Sequence, residues 1–238
     1  VYKDENGEFI IAFFSHFIKG LVKKQNPFKT GWQGVKNEYM LLKGLFSGGS
    51  QRTKSRFTRE LPQTTAGFWA SYFSNLFGFT RKVSSWGGAT VSQLEPAFLK
   101  GSKAFTLGSY IMGGSSIEAD PDNVIFQHEY GHYLQSQEMG WSYLFKVAIP
   151  SLKSAAGDGM HCFFKTEQDA NMRSLIYMSE NVEGFYRTKD QLDKDKGWNF
   201  LKNPLDPNSE RVRGRYYDVR DASVRSDLIK SLSLTGGL

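Results

Sequence analysis

Apolar residues recur at helical spacing over residues 9–24 and again over 35–46, with Asn26-Pro27 and Gly31 interrupting the pattern between them. A third helix is expected over 65–78, TAGFWASYFSNLFG, whose aromatics fall on more than one face. Most of these rings read as core, with a membrane-inserting stripe as the rival reading. The intervening FSGGSQRTKSR, residues 46–56, is polar and glycine-containing and reads as a linker. From Trp86 the helical period gives way to strand character. ATVSQL follows Gly87-Gly88, and AFTLGSYIM (104–112) is rich in β-branched and aromatic residues, so two strands are expected there. The opening VYKDENGEFI, with Asn6-Gly7, reads as a strand and turn.

Helical patterning returns after Asp120-Pro121, a cap followed by a proline suited to the first helical position, and runs to about Glu138 before Gly140 stops it. A further helix is expected from Thr166, where T-E-Q-D matches an N-cap box, to Met178 or Val182. KDQLDKDKG reads as charged surface, WNFLKNPLDPNSE as turn-rich chain, and DASVRSDLIKSLSL as a last amphipathic helix. The whole is a predominantly helical α+β chain with a small antiparallel sheet. Its expected parts are a basic helical extension (1–50), an aromatic helical segment (51–85) and a main domain (86–238).

Composition narrows the choices. With 238 residues, 39% hydrophobic and 15% aromatic, the chain can bury a sizeable core. The single cysteine, Cys162, excludes an internal disulfide. The longest apolar run, FIIAFFSHFIKGLV, is shorter than the ~20 residues a bilayer span needs and is interrupted by His16 and Lys19. Acidic residues precede it and no small-residue cleavage site follows, so it is no signal peptide either. Starting at Val1 without a methionine, the chain reads as a fragment. The net charge of +6 is uneven: residues 1–60 carry eleven Lys and Arg against five Asp and Glu, whereas 61–238 carry nineteen of each. Such a basic segment suits a solvated helical surface, or a phosphate, a lipid headgroup or an acidic partner.

The residues with the most distinctive chemistry are His128, Glu129 and His132 in IFQHEYGHYLQSQ (125–137). On a helix the two histidines lie roughly 40° apart and one turn along, so both imidazoles reach one metal ion. Glu129, roughly 100° round from His128, is placed to take a proton from water rather than to ligate. Zinc hydrolases add a third protein ligand and leave one position for water. A ligand six residues after His132 fails, because Gln135 stands where a turn glycine is needed and the helix carries Glu138 to another face. Glu167 is the better third ligand, and Asn171, one turn on, can hold the second nitrogen of a ligating histidine. Asp169 is assigned to helix capping instead. His161 is either a rival ligand or a transition-state donor, or else an ordinary loop histidine; Cys162 beside it has no support as a nucleophile. Gly131, costly inside a helix, suggests close approach by a strand or a substrate backbone. The AFTLGSYIM edge could pair with such a peptide.

Together, HEYGH and the later EQDAN resemble the gluzincin metallopeptidases, with Asn171 standing where many of them have aspartate. AFTLGSYIM, ADP and QHEYGHYLQSQ are similar to the small metallopeptidase domains attached to contractile injection systems and polymorphic toxins. The wider run TLGSYI…ADPDNVIFQHEYGHYLQSQEMGW…IPS…EQDANMRS…WNFLKNPL resembles C-terminal regions of Rhs-repeat proteins from Bacteroidetes, and DENGEFI resembles the junction that closes an Rhs core.

The resemblance implies a zincin core, with Zn2+ on His128, His132 and Glu167, Glu129 catalytic and Asn171 behind a ligand. It also implies a peptide or protein substrate, an Rhs core and an immunity protein as partners, and a toxin or effector made in the bacterial cytoplasm and delivered to a target cell, as by a type VI system. Tyr186, Arg173 and Tyr177 are the candidates for stabilising an oxyanion. Two other readings remain open: a membrane- or partner-binding tip whose metal is structural, and a self-processing protease. Nucleic acid is not an expected partner.

Overall fold

A computed structural model describes residues 8–97, 103–156, 161, 164–185, 197–198 and 203. The fold is α+β and mostly helical with a small sheet. It divides into two compact units, 1–119 and 120–238. The strands therefore pack with the N-terminal helices, where the sequence reading grouped most of them with HEYGH.

In the first unit, α1 (Glu8–Val22) and α2 (Pro27–Gly44) form an antiparallel hairpin. Asn26-Pro27 starts α2 rather than interrupting it: Asn26 Oδ1 accepts from Lys29 N at 3.1 Å, and Pro27 needs no partner for a missing N–H. Gly31 does not break the helix, because the Phe13 ring packs where its Cβ would stand. At Gly34 a Cβ would press on the Ala12 carbonyl and the His16 ring. Residues 8–10 of the expected opening strand belong to α1, and residues 1–7 lie outside the described residues.

The expected linker contains a helix, α3 (Ser50–Arg56), and its last residue explains why the segment is ordered. Arg56 is buried, and its guanidinium donates to Ser109 Oγ at 2.7 Å, Gly88 O at 2.5 Å, Leu45 O at 3.3 Å and the Ser47 carbonyl. One side chain thus ties the end of α2 to two strand turns, which no local polarity pattern reveals.

Then α4 (Leu61–Leu76) leads into β1 (Thr80–Trp86), β2 (Ala89–Leu94), β3 (Ala104–Leu107) and β4 (Tyr110–Gly113), ordered β1-β2-β4-β3. β1 escapes the sequence reading because a register shift between Thr80 and Lys82 spoils its alternation and only Thr80 and Val83 are buried. Gly87 and Gly88, both at positive φ, close the first hairpin. AFTLGSYIM is not one strand but a second hairpin turning at Gly108 (φ 58°). Because β4 returns beside β2, that pair is parallel, and the sheet is mixed rather than antiparallel.

The core of this unit joins Leu41, Tyr72, Val83 and Tyr110. Tyr110 donates its hydroxyl to Leu41 O at 2.8 Å, and Asn37 Oδ1 accepts Val83 N at 3.0 Å, so two buried polar groups pin α2 to the sheet. Glu95 receives Lys19 and Lys23 at 2.9 and 2.6 Å; burial opposes its charge, but the two ammonium groups hold its carboxyl below the usual range.

The second unit consists of α5 (Val124–Met139), single 3-10 and π turns (Gly140–Ser142, Leu144–Ala148), α6 (Ile149–Ala155) and α7 (Lys165–Asn181). The cap of α5 is Asn123, whose Oδ1 accepts Phe126 N at 3.0 Å; Asp120 instead accepts Asp122 N in the preceding turn. Gly140, at positive φ, ends the helix where the pattern stops. No side chain caps α7, which starts at Lys165 after Phe164, so the expected Thr166 box does not form. Part of the WNFLKN segment docks on the start of α5: Asn203 Nδ2 donates to Val124 O at 2.8 Å and Gln127 Nε2 to Gly197 O at 2.7 Å. The charged stretch 189–196 and the expected last helix lie outside the described residues.

His16 offers a test of the first unit. It is 1% exposed, with Nε2 3.0 Å from Asn75 O, and burial, reinforced by Lys19, lowers its pKa from 6.5 to about 4. The unfolded chain therefore binds this proton more tightly. The stabilisation is complete above pH 6.5 and is lost as pH falls towards 4, by about 3 kcal/mol. Thermal unfolding followed from pH 7 to 4 should show this slope, and His16→Gln should flatten it in that window.

Candidate metal centre

α5 and α7 approach face to face because α5 has no side chain at the crossing: a Cβ on Gly131 would overlap the carbonyl of Ala170. The close approach anticipated at Gly131 is thus made by a helix of the same unit and not by a strand. Around it, Phe126, Tyr130, Tyr133 and Tyr177 pack with ring centroids 5.1–5.4 Å apart. Phe126, Tyr130 and Tyr133 share one face of α5, and His128 and His132 lie on the opposite face, where Glu167 of α7 reaches them.

On that face His128 Nε2 and His132 Nε2 lie 3.0 and 3.1 Å from a single oxygen, Glu167 Oε2. The two rings stand nearly perpendicular, 89°, with centroids 4.9 Å apart. His128, His132 and Glu167 form a set of donors mutually close enough to hold one metal ion. Glu167 is fully buried and His132 nearly so.

The outer nitrogens are held as well. His128 Nδ1 lies 2.8 Å from Asn171 Oδ1, the partner expected from the sequence. His132 Nδ1 lies 2.8 Å from Gln135 Oε1. The Gln135 amide is oriented unambiguously, since its Nε2 donates to Thr166 O at 2.9 Å and Asp169 Oδ2 at 2.8 Å. His132 must therefore donate from Nδ1, which turns its Nε2 lone pair towards Glu167.

Electrostatics give this geometry a sign. Two imidazole lone pairs facing a carboxylate repel it, so the centre requires a cation, either protons or a metal. Burial opposes ionisation of both His128 and Glu167. Even so, the Glu167 hydrogen bond and the Glu129 charge raise His128, and the two histidines hold Glu167 far below the carboxylate range. Two neutral imidazoles and one carboxylate are a borderline-soft N/O set, and this donor chemistry fits a divalent transition-metal ion. Glu129, 5% exposed, sits close enough for its charge to be felt at His128.

His161 also reaches the centre, with Nε2 3.4 Å from Glu167 Oε2, but it does not belong to the mutually close set. Two sequence assignments are corrected. Asp169 caps no helix; it accepts Gln135 Nε2 and Arg173 Nε, the latter at 2.6 Å. Arg173 is fully engaged by Asp169 and Glu138, and so is a poor oxyanion donor. Tyr177 lies roughly 15 Å along α7 from Glu167, at ~1.5 Å per residue, and its ring packs at a tilt against Tyr130. Tyr186 and Cys162 lie outside the described residues.

Sequence reasoning overlooked Gln135 and Tyr143. Gln135, three residues beyond His132, stands in the sequence only where a turn glycine would be needed, and its spacing does not reveal its role behind the ring. Tyr143 is buried after α5; burial and the charges of Glu129 and Glu167 push its phenol well above the ordinary range, so it stays protonated beside them. Its signal, a tyrosine eleven residues after His132, is too weak to be found from spacing.

Gln135→Ala should weaken metal binding about 10–100-fold in competition with a chelator, without unfolding the chain. Gly131→Ala tests the crossing by its sign. Helix propensity alone makes alanine the more stable by about 0.5–1 kcal/mol, whereas collision with Ala170 makes it less stable by about 1–3 kcal/mol; denaturant unfolding decides between them, and the loss is expected. No protein-family profile, curated protein or solved structure matches the chain.

Proposed function

We propose that the chain is a gluzincin-like zinc hydrolase that cleaves peptide bonds with an activated water, and that it serves as a delivered effector of the Rhs type. One observation carries the hydrolytic reading: two histidines one turn apart on α5 and Glu167 of α7 converge on a single point, with the outer nitrogens already held by Asn171 and Gln135. A zinc ion bound by three protein groups supplies a Lewis acid and lowers the pKa of water to about 7.

The chain's own residues divide the remaining work. His128, His132 and Glu167 present their donors from two helices locked at Gly131, so the ligand geometry costs little rearrangement. Glu129 is the general base, accepting the proton of the attacking water and returning it to the leaving amine. Its burial beside the histidines keeps bulk water from competing for that proton. The protonated Tyr143 adds a polar group beside Glu129 and Glu167. The delivered-effector setting rests on the likeness of TLGSYI…HEYGHYLQSQ…EQDANMRS…WNFLKN to Rhs C-terminal regions.

Elemental analysis of the purified chain should find about one zinc per molecule, lost in His132→Ala and Glu167→Ala. Glu129→Gln should keep the zinc and lose peptidase activity about 10²–10⁴-fold, measured by mass spectrometry on a mixture of unstructured peptides. Absence of zinc from the wild type, or full activity in Glu129→Gln, would overturn the proposal.

A further inference from the structure

The α1–α2 hairpin carries an apolar surface that is exposed among the described residues. On α1, Ile10, Ile11, Phe14, Ile18, Leu21 and Val22 are each 53–77% exposed and recur at helical spacing. Phe28, Trp32 and Tyr39 of α2, with Phe46 just beyond its end, are 55–66% exposed and share one stripe. The two stripes meet in an open hollow of about 950 Å³, where Ile10 and Phe14 face Trp32, Tyr39 and Phe46. Ten large side chains, each offering on the order of 100 Å² of apolar area, expose roughly 1,000 Å², against about 300–600 Å² for the largest patch of an ordinary monomer.

Charge identifies the occupant. Residues 9–59 contain ten Lys and Arg and a single acid, Glu38, which is buried. Lys29, Lys36 and Lys43 are exposed along one flank of the α2 stripe, and Lys36 and Lys43 line the hollow itself. An apolar strip beside a row of ammonium groups, with no exposed acid among the described side chains of residues 9–59, matches acyl chains beneath anionic headgroups. Trp32 and Tyr39 have the amphipathic rings that favour that boundary. Among the described residues no helix is long and apolar enough to cross a membrane, so the hairpin would lie in the surface plane.

We infer that the α1–α2 hairpin is a docking surface for an anionic lipid bilayer, with the apolar face inserted and the lysines at headgroup level. This goes beyond the hydrolase reading and does not depend on the metal centre.

The test uses the whole chain and vesicles of phosphatidylglycerol with phosphatidylcholine, against phosphatidylcholine alone. Flotation should recover the protein with the anionic vesicles. Phe14→Asp with Trp32→Asp should weaken binding at least tenfold, and Lys36→Glu with Lys43→Glu should weaken it severalfold. Circular dichroism should be unchanged in both variants, since all four positions are exposed. Brominated lipid should quench tryptophan emission in the wild type and quench it less in Trp32→Phe.

Failure of the wild type to float, or equal binding by the Phe14→Asp, Trp32→Asp variant, overturns the inference. So does a dimer that the same substitutions dissociate while vesicle binding is absent, which would assign the face to a second copy of the chain.

Discussion

At Gly131 the backbones of α5 and α7 come close enough that one methyl group would strike the carbonyl of Ala170. The arrangement of the second unit's site follows from that contact. It sets the helix separation at which Glu167 reaches His128 and His132 together, and it places Asn171 and Gln135 behind the two rings. A wider crossing would separate the carboxylate from the histidines. The energetic cost of glycine within a helix is offset by packing on both sides of it, chiefly the tyrosines around Tyr130.

Buried charge makes this packing consequential. Glu167 is fully buried, and a carboxylate in that setting is tolerated only when it is paired. The partners are chained together: Gln135 joins His132 to Asp169, Asp169 joins Arg173, and Arg173 joins Glu138 back on α5. The two helices are therefore clamped twice, once by the histidine–carboxylate centre and once by this ion-pair relay. Glu138, which cannot reach the centre, completes the second clamp.

The first unit uses the same device with different residues. Arg56, Asn37 and Tyr110 each send buried polar atoms to backbone groups of another element, so order in segments with poor local patterning comes from long-range hydrogen bonds. Among the described residues, the outer faces of α1 and α2 carry no such ties. They are apolar, exposed and flanked by lysine, which separates the part of the hairpin that holds the unit together from the part free to meet something else.

Local spacing determined much of this protein without any structure. The i, i+4 histidines, Glu129 between them, and the Glu167 and Asn171 pair depend only on the spacing of residues along a helix. The α+β class and the five longest of the described helices were legible from spacing and from the prolines and glycines along the chain, although α2 begins earlier than its pattern, because a proline can open a helix as well as interrupt one. Tertiary structure decided what local patterning does not encode. A register shift concealed β1, and a distant arginine turned an apparent linker into a helix. Hydrogen bonds across to α7 gave Gln135 its place behind His132 and drew Asp169 away from capping. Periodicity reports which face a residue occupies, whereas the partner waiting on that face belongs to another part of the chain.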